Sequence, residues 1–378
     1  MGDIGMATRR YLGETEVGVV GAGIVGLAAT YELARRQVDV RCFERAEPGS
    51  GQSAGLTRVF RHLHEDGDLI PLAREARECW SEWEGRAGVQ LIGREGLLVG
   101  APDPEAARAD LERHGVEARL VRGREQAEVL PVFATIEAPV LFEPQAGAIR
   151  TRPAVEALSG WIRPHLVRSE VLGIHEGGLR VVLQTSEGLW RCDRVLICAG
   201  VSTPEIAASL GMSVPVELRC HARPAFAVRP EHRGRTLACW IDKTAAFGEP
   251  LYAGPVEGGE RYVVGLSGVS TDKDLPAGSA YVPRDFDMTA HVEAATRCVE
   301  KALPGLDPEP LSVRLCHTTS LPWGPDAFAA WRDGPVTLFT GHNLFKLAPV
   351  LGRLLGDAVA NDRVDPLLEP PRRLSSTG

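Results

Sequence analysis

Apolar and polar residues follow different periods along this chain, and the changes fall at glycines. Val17 to Val20 is an unbroken apolar run that predicts a buried strand, whereas Ile24 to Arg36 places Val25, Leu27, Ala28, Tyr31 and Leu33 at helical spacing. Val38 to Phe43 predicts a second strand, so strand, glycine turn, helix and strand form a βαβ unit. Helical spacing returns from about Pro71 to Glu84 and from Ala154 to Leu166. Strands are predicted at Leu97–Val99, Val140–Phe142, Val167–Ile174, Leu179–Thr185 and Leu189–Ile197. Residues 215–270 alternate apolar positions with turn glycines, which predicts a β-rich insertion and not more doubly wound sheet. A strand at Val336–Phe339 and a helix from about Pro349 to Asn361 close the pattern, and residues 1–15 and the last dozen are polar and patternless. The expected fold is α/β, a Rossmann-type domain with a second, β-rich α+β domain.

The chain has 378 residues, 44% hydrophobic and 24% charged, enough for about two domains with large cores. A net charge of -8 without a block of like-signed residues gives no footprint for nucleic acid or an anionic membrane. Eight cysteines are scattered with no CxxC pair and no Cys/His cluster at metal spacing, so no metal is expected and reduced thiols suit a cytoplasmic protein. The apolar stretch Val17 to Ala29 carries four glycines and no cleavage pattern, which argues against a signal peptide or a membrane span.

The turn between the first strand and helix reads Gly21-Ala22-Gly23-Ile24-Val25-Gly26. In such a GxGxxG the first glycine allows the tight turn, the second lets backbone approach a pyrophosphate, and the third lets helix and strand pack closely. The helix N-terminus at Ile24 and Val25 then offers unpaired N–H groups to phosphate. Glu44, with Arg45 beside it, ends the second strand, where a carboxylate binds ribose hydroxyls and disfavours a 2′-phosphate. This unit alone fits FAD and NAD equally.

The next segment separates them. Gly51-Gln52-Ser53-Ala54-Gly55-Leu56-Thr57-Arg58-Val59-Phe60-Arg61-His62 resembles the flavin-contacting loop of the D-amino-acid oxidase superfamily, in its monomeric sarcosine oxidase and glycine oxidase branch. Three further segments carry the resemblance: Leu315-Cys316-His317-Thr318-Thr319, Thr340-Gly341-His342-Asn343-Leu344-Phe345-Lys346, and the strand ending at Cys198-Ala199-Gly200. The resemblance implies FAD held by Gln52, Ser53, Thr57, Arg58, Val171, Ala199, Gly200, Gly341, Asn343, Leu344 and Lys346, with Cys316 a candidate for covalent attachment. It also implies Arg61 and Lys346 as the pair that binds a substrate carboxylate, bidentately and as a point charge respectively. Tyr252 matches an active-site tyrosine, and Arg58 and His342 are candidate helpers near the ring.

Departures from that pattern bear on substrate and acceptor. Val263 and Ser267 stand where the branch has a lysine that speeds reaction with oxygen and a histidine, and Thr318 replaces a tyrosine, which enlarges the pocket. The segment before Lys346 is also one residue longer than the family's. The expected activity is FAD-dependent oxidation of an amino acid or N-substituted glycine bulkier than sarcosine, giving an imine that hydrolyses, with O2 as electron acceptor. A flavin dehydrogenase serving a quinone or protein, an NAD-dependent dehydrogenase and a non-catalytic dinucleotide-binding protein stand as alternatives. The resemblance places the FAD domain at 15–90, 146–218 and 313–370, and the substrate domain at 91–145 and 219–312.

Overall fold

A computed structural model describes residues 10–177, 180–267 and 286–371. Two eight-stranded sheets organise it. The first is built around Tyr11–Val20, which pairs in parallel with Val40–Glu44 on one side and Leu189–Ile197 on the other. Val336–Gly341 extends the parallel run, Phe328–Asp333 closes that edge antiparallel, and Leu166–Arg168 closes the opposite edge in parallel. A hairpin of Val171–Gly177 and Arg180–Thr185 branches from Leu189–Ile197. Val17 and Val19 are fully buried, the reason this strand reads as a continuous apolar run and not an alternating one.

Helices Ile24–Arg35 and Ala348–Ala360 pack against each other on this sheet. Gly352 makes that approach possible, since a Cβ there would come within 2.6 Å of the Ala28 backbone. Helix Leu69–Ala87 joins the same core through Trp80 and Trp83, and the Trp80 indole donates to the Lys346 carbonyl at 2.8 Å. The core thereby fixes the backbone of a candidate site residue.

The second sheet runs in the order Leu306–Ser320, Glu217–Val228, Arg261–Leu266, Leu251–Pro255, Cys239–Asp242, Leu97–Gly100, Val140–Glu143, Arg119–Val121. Helix Met288–Ala302 buries Ala295, Cys298, Val299 and Ala302 against its Phe226, Trp240 and Tyr262. A short ladder, Arg58–Phe60 with Gly147–Ile149, stands apart from both sheets.

Several sequence expectations change here. The first strand begins at Tyr11 because Tyr11 to Thr15 pair with Leu189 to Cys192, so residues 11–15 are not patternless tail. The helix expected to reach Leu166 spans Thr151–Trp161, since Pro164 lacks an N–H and disfavours α conformation in its predecessor. The strand expected over Val167–Ile174 is two, broken at Ser169 and Glu170, whose halves join different partners. Leu179 and residues 372–378 lie outside the described residues. Strand Leu306–Ser320 was not legible, because Asp307, Glu309 and their neighbours lie exposed along one edge. It pairs with Glu217–Val228 along nearly its whole length, and the boundaries expected at 218–219 and 312–313 fall inside that pair.

Candidate active site

A cavity of about 1390 Å³ runs from the carboxyl ends of the parallel strands to the face of the second sheet. Its size exceeds the roughly 300–1,000 Å³ of ordinary small-ligand pockets. At one end Gly21, with φ +100°, makes the turn out of Tyr11–Val20, a conformation that L side chains rarely adopt. Gly23, Ile24 and Val25 line the cavity, and a Cβ on Gly23 would meet only Ser53 Oγ, at 3.3 Å, leaving its backbone open to a ligand. Gly26 lies behind the turn, where a Cβ would overlap the Gly21 carbonyl oxygen. Each glycine of the motif thus has its own reason.

Ser53 Oγ accepts from the Ile24 N–H at 2.8 Å, supplying from 29 residues away the cap that Gly23 cannot. The Glu44 carboxylate accepts from Ala22 N at 2.8 Å and Ala46 N at 2.9 Å, which fixes it while leaving lone pairs for hydroxyls. Arg45 sits on the rim against Glu170, and Val171, Ala199 and Gly200 complete this end of the wall. Gln52 Nε2 donates to His317 O at 3.1 Å and ties the loop to the strand of Cys316. The donor chemistry and the open glycine cradle fit an adenine dinucleotide.

Arg58 spends its donors on the loop that carries it, binding Thr57 O at 2.9 Å, Gln52 O at 3.1 Å and Ala54 O at 2.7 Å. Burial, then repulsion from Arg223, pushes its guanidinium down to about 10. Thr57 is buried beneath, and its carbonyl also accepts from Arg223. The loop's shape therefore depends on Arg58. Cys316 is half-buried in the cavity wall, directly across the ladder from His221. His221 Nε2 lies 2.7 Å from the Tyr252 hydroxyl, and the Arg223 guanidinium stands 5.2 Å from the Tyr252 ring centroid. Burial, then Arg223, pushes His221 down to about 3, so it is neutral.

At the other end, Arg61 and Lys346 converge on one carboxylate. Arg61 Nη2 donates to Asp326 Oδ2 at 2.6 Å and Lys346 Nζ to Asp326 Oδ1 at 3.1 Å, with Asn343 Nδ2 on the same oxygen at 2.8 Å. Asn343 takes φ 56° to place that amide, and Gly341 and Leu344 flank it in the wall. Lys346 is 3% exposed and Arg61 Nε is buried without a partner, so donor capacity remains. Burial pushes Lys346 down to about 8 against the pull of Asp326. His342 is desolvated to about 4, its Nδ1 2.9 Å from Pro325 O, and is neutral.

Sequence reasoning missed Asp326, which sits in Trp323-Gly324-Pro325-Asp326 and reads as a turn aspartate. It also missed His221 and Arg223. Their i, i+2 spacing puts both on one face of a strand, yet only the register with Cys316 reveals which face. Val263, in the lysine's place, is buried and outside the cavity wall, whereas Ser267 lines it. Among the described residues no cluster of His, Cys, Asp or Glu could hold a metal, and no helix is long and apolar enough to cross a membrane.

The chain is 27% identical over 361 residues to human peroxisomal sarcosine oxidase, covering 89% of this chain and 90% of that one. It is 26% identical to a monomeric sarcosine oxidase of Streptomyces avermitilis, covering 96% and 98%. Among solved structures, NikD, an unusual amino acid oxidase of nikkomycin biosynthesis, superposes with a TM-score of 0.83 at 21% identity, over 97% of this chain and 99% of that one. Glycine oxidase from Geobacillus kaustophilus gives 0.74 at 22% identity, over 96% and 98%. Both structures share the fold. A family profile described as FAD dependent oxidoreductase matches residues 16–358, and with the dinucleotide cradle in place the chain belongs to that family.

Proposed function

We propose that the protein oxidises the C–N bond of an amino acid or N-substituted glycine, bulkier than sarcosine, to an imine that water hydrolyses, with O2 accepting the electrons as H2O2. The observation that carries this reading is the convergence of Arg61 and Lys346 in the wall of the FAD cavity. Gly21 to Gly26 and Ser53 would hold the pyrophosphate end and Glu44 a ribose, while Gly341, Asn343 and Leu344 would lie by the redox end. FAD bound there supplies two-electron acceptance, so the carbon next to nitrogen can lose a hydride equivalent. The chain's own residues bind and orient: Arg61 and Lys346 would fix the carboxylate, and Tyr252, held by His221, lines the same cavity. Thr318 at the position of a tyrosine supports the bulkier substrate. Oxidases of sarcosine and N-methyl-L-tryptophan among the relatives support amine oxidation.

Anaerobic titration of the yellow protein with a panel of N-substituted glycines tests the reading. Bleaching followed by recovery and peroxide formation on admitting air is expected; a spectrum untouched by every amine overturns it. Covalent attachment has its own measurement. Acid precipitation is expected to leave flavin on the pellet, and Cys316→Ala to release it to the supernatant.

Lys346 sets the expected pH dependence. Below about pH 8 it is charged, and the cluster of Arg61, Lys346 and Asp326 carries one net positive charge. Above, the cluster is neutral and the anion loses a charge-assisted bond. The affinity for a carboxylate lacking the amine, read from the flavin spectrum, is therefore expected to fall about 10- to 100-fold through an inflection near pH 8. Lys346→Met should abolish the inflection.

A further inference from the structure

Asp326 has no role in the chemistry above, yet it is the point where the anion-binding residues meet. A buried cation beside a largely buried one is repelled strongly in a medium of low dielectric, and no second carboxylate is bonded to either Arg61 or Lys346 among the described residues. We propose that Asp326 is the positioning residue of this site: its carboxylate clamps Arg61 and Lys346 into one pair and sets their net charge at one positive, selecting a monoanionic carboxylate over a dianion. This rests on the reading of Arg61 and Lys346 as the carboxylate pair.

The geometry separates a clamp from a removable plug. Asp326 is held on both sides by its neighbours: Ala327 O accepts from the His342 N–H at 3.0 Å, and Pro325 O lies 2.9 Å from His342 Nδ1. The turn that carries the carboxylate is thus strapped to the segment that carries Asn343 and Lys346. Asn343 Nδ2 occupies further acceptor capacity on Oδ1, so the carboxylate faces donors from three residues. A substrate carboxylate would add to this array through the unpartnered Arg61 Nε and the third lysine hydrogen, the other two going to Asp326 Oδ1 and Asn343 O, without displacing Asp326.

Other titratable groups around the cluster are Lys243, which pairs with Glu65 at 3.6 Å, the buried imidazole of His64, and that of His342. Burial pushes Lys243 and both histidines down, and His64 and His342 stay neutral. Asp326 is the attraction that opposes burial and Arg61 at Lys346. Removing its charge should drive Lys346 toward the neutral form, a consequence that a merely structural carboxylate would not have.

The test uses the FAD-loaded protein, binding a short carboxylate without an amine and the matching phosphonate, a dianion at pH 8, across the pH range. Wild type is expected to prefer the carboxylate and to lose it above about pH 8. In Asp326→Asn the inflection is expected to move down by about 1–3 units, so that at pH 8, with Lys346 neutral, the variant binds the carboxylate about tenfold or more weakly than wild type does below its own inflection. An unmoved inflection, or a wild type that prefers the phosphonate, overturns the proposal. Should Asp326→Asn fail to load FAD, Asp326→Glu carries the test. It keeps the charge but moves it by one methylene, so the inflection should stay while carboxylate affinity falls about tenfold; unchanged affinity overturns the clamp. If Arg61→Ala leaves KM unaltered, the underlying carboxylate reading fails instead.

Discussion

Arg61→Ala is expected to raise KM for the carboxylate substrate by about two to three orders of magnitude, with FAD still bound and the visible spectrum intact. The magnitude follows from what truncation leaves behind. Arg61 is the only group in the cluster able to form a bidentate pair with a carboxylate, and its loss leaves Asp326 neutralising Lys346 with no surplus positive charge. Removing one member of a buried hydrogen-bonded charge pair costs about 2–5 kcal/mol, and each 1.4 kcal/mol is tenfold. Arg61→Lys should recover only part of the loss, since a point charge cannot reproduce the planar fork. Steady-state kinetics on the variants decide this, and KM values equal to wild type would remove Arg61 from the site.

Gly26→Val should yield protein without flavin, or none that is soluble. The Cβ would overlap the Gly21 carbonyl oxygen, so helix Ile24–Arg35 must withdraw from the turn that presents Gly23 to the cofactor. Unlike a flexible side chain, backbone cannot rotate away, and the strain exceeds the usual overpacking cost of about 1–3 kcal/mol. Gly85→Ala is the control. It lies in helix Leu69–Ala87, nothing stands within 4 Å of its Cβ position, and the substitution should stabilise by about 0.5–1 kcal/mol. The ratio of flavin to protein absorbance separates the two; a yellow Gly26→Val protein would show that the close packing is not required.

The elements of the first sheet were legible where both faces are buried. Val17–Val20 and Val195–Ile197 lie in its interior, so nearly every inward and outward position is apolar and length alone marks a strand. Leu306–Ser320 was opaque for the opposite reason. Much of it is exposed, its pairing is to a strand some ninety positions earlier, and polar residues at an open edge carry no period. The break at Ser169 was equally hidden, because apolar residues continue on both sides while the chain changes partners.

By itself the sequence determined the dinucleotide cradle. Gly21, Gly23, Gly26 and Glu44 act through one turn and the strand that follows, and sterics local to a βαβ unit dictate which residue each position tolerates. The anion site belongs to the tertiary structure. Arg61 and Asp326 stand 265 residues apart, and Asp326 looks like any turn aspartate until the edge strand that follows it, Phe328–Asp333, pairs with Val336–Gly341 and brings it under Lys346. Electrostatics between buried groups depend on distance and on excluded water, and both are products of packing that no spacing along the chain encodes.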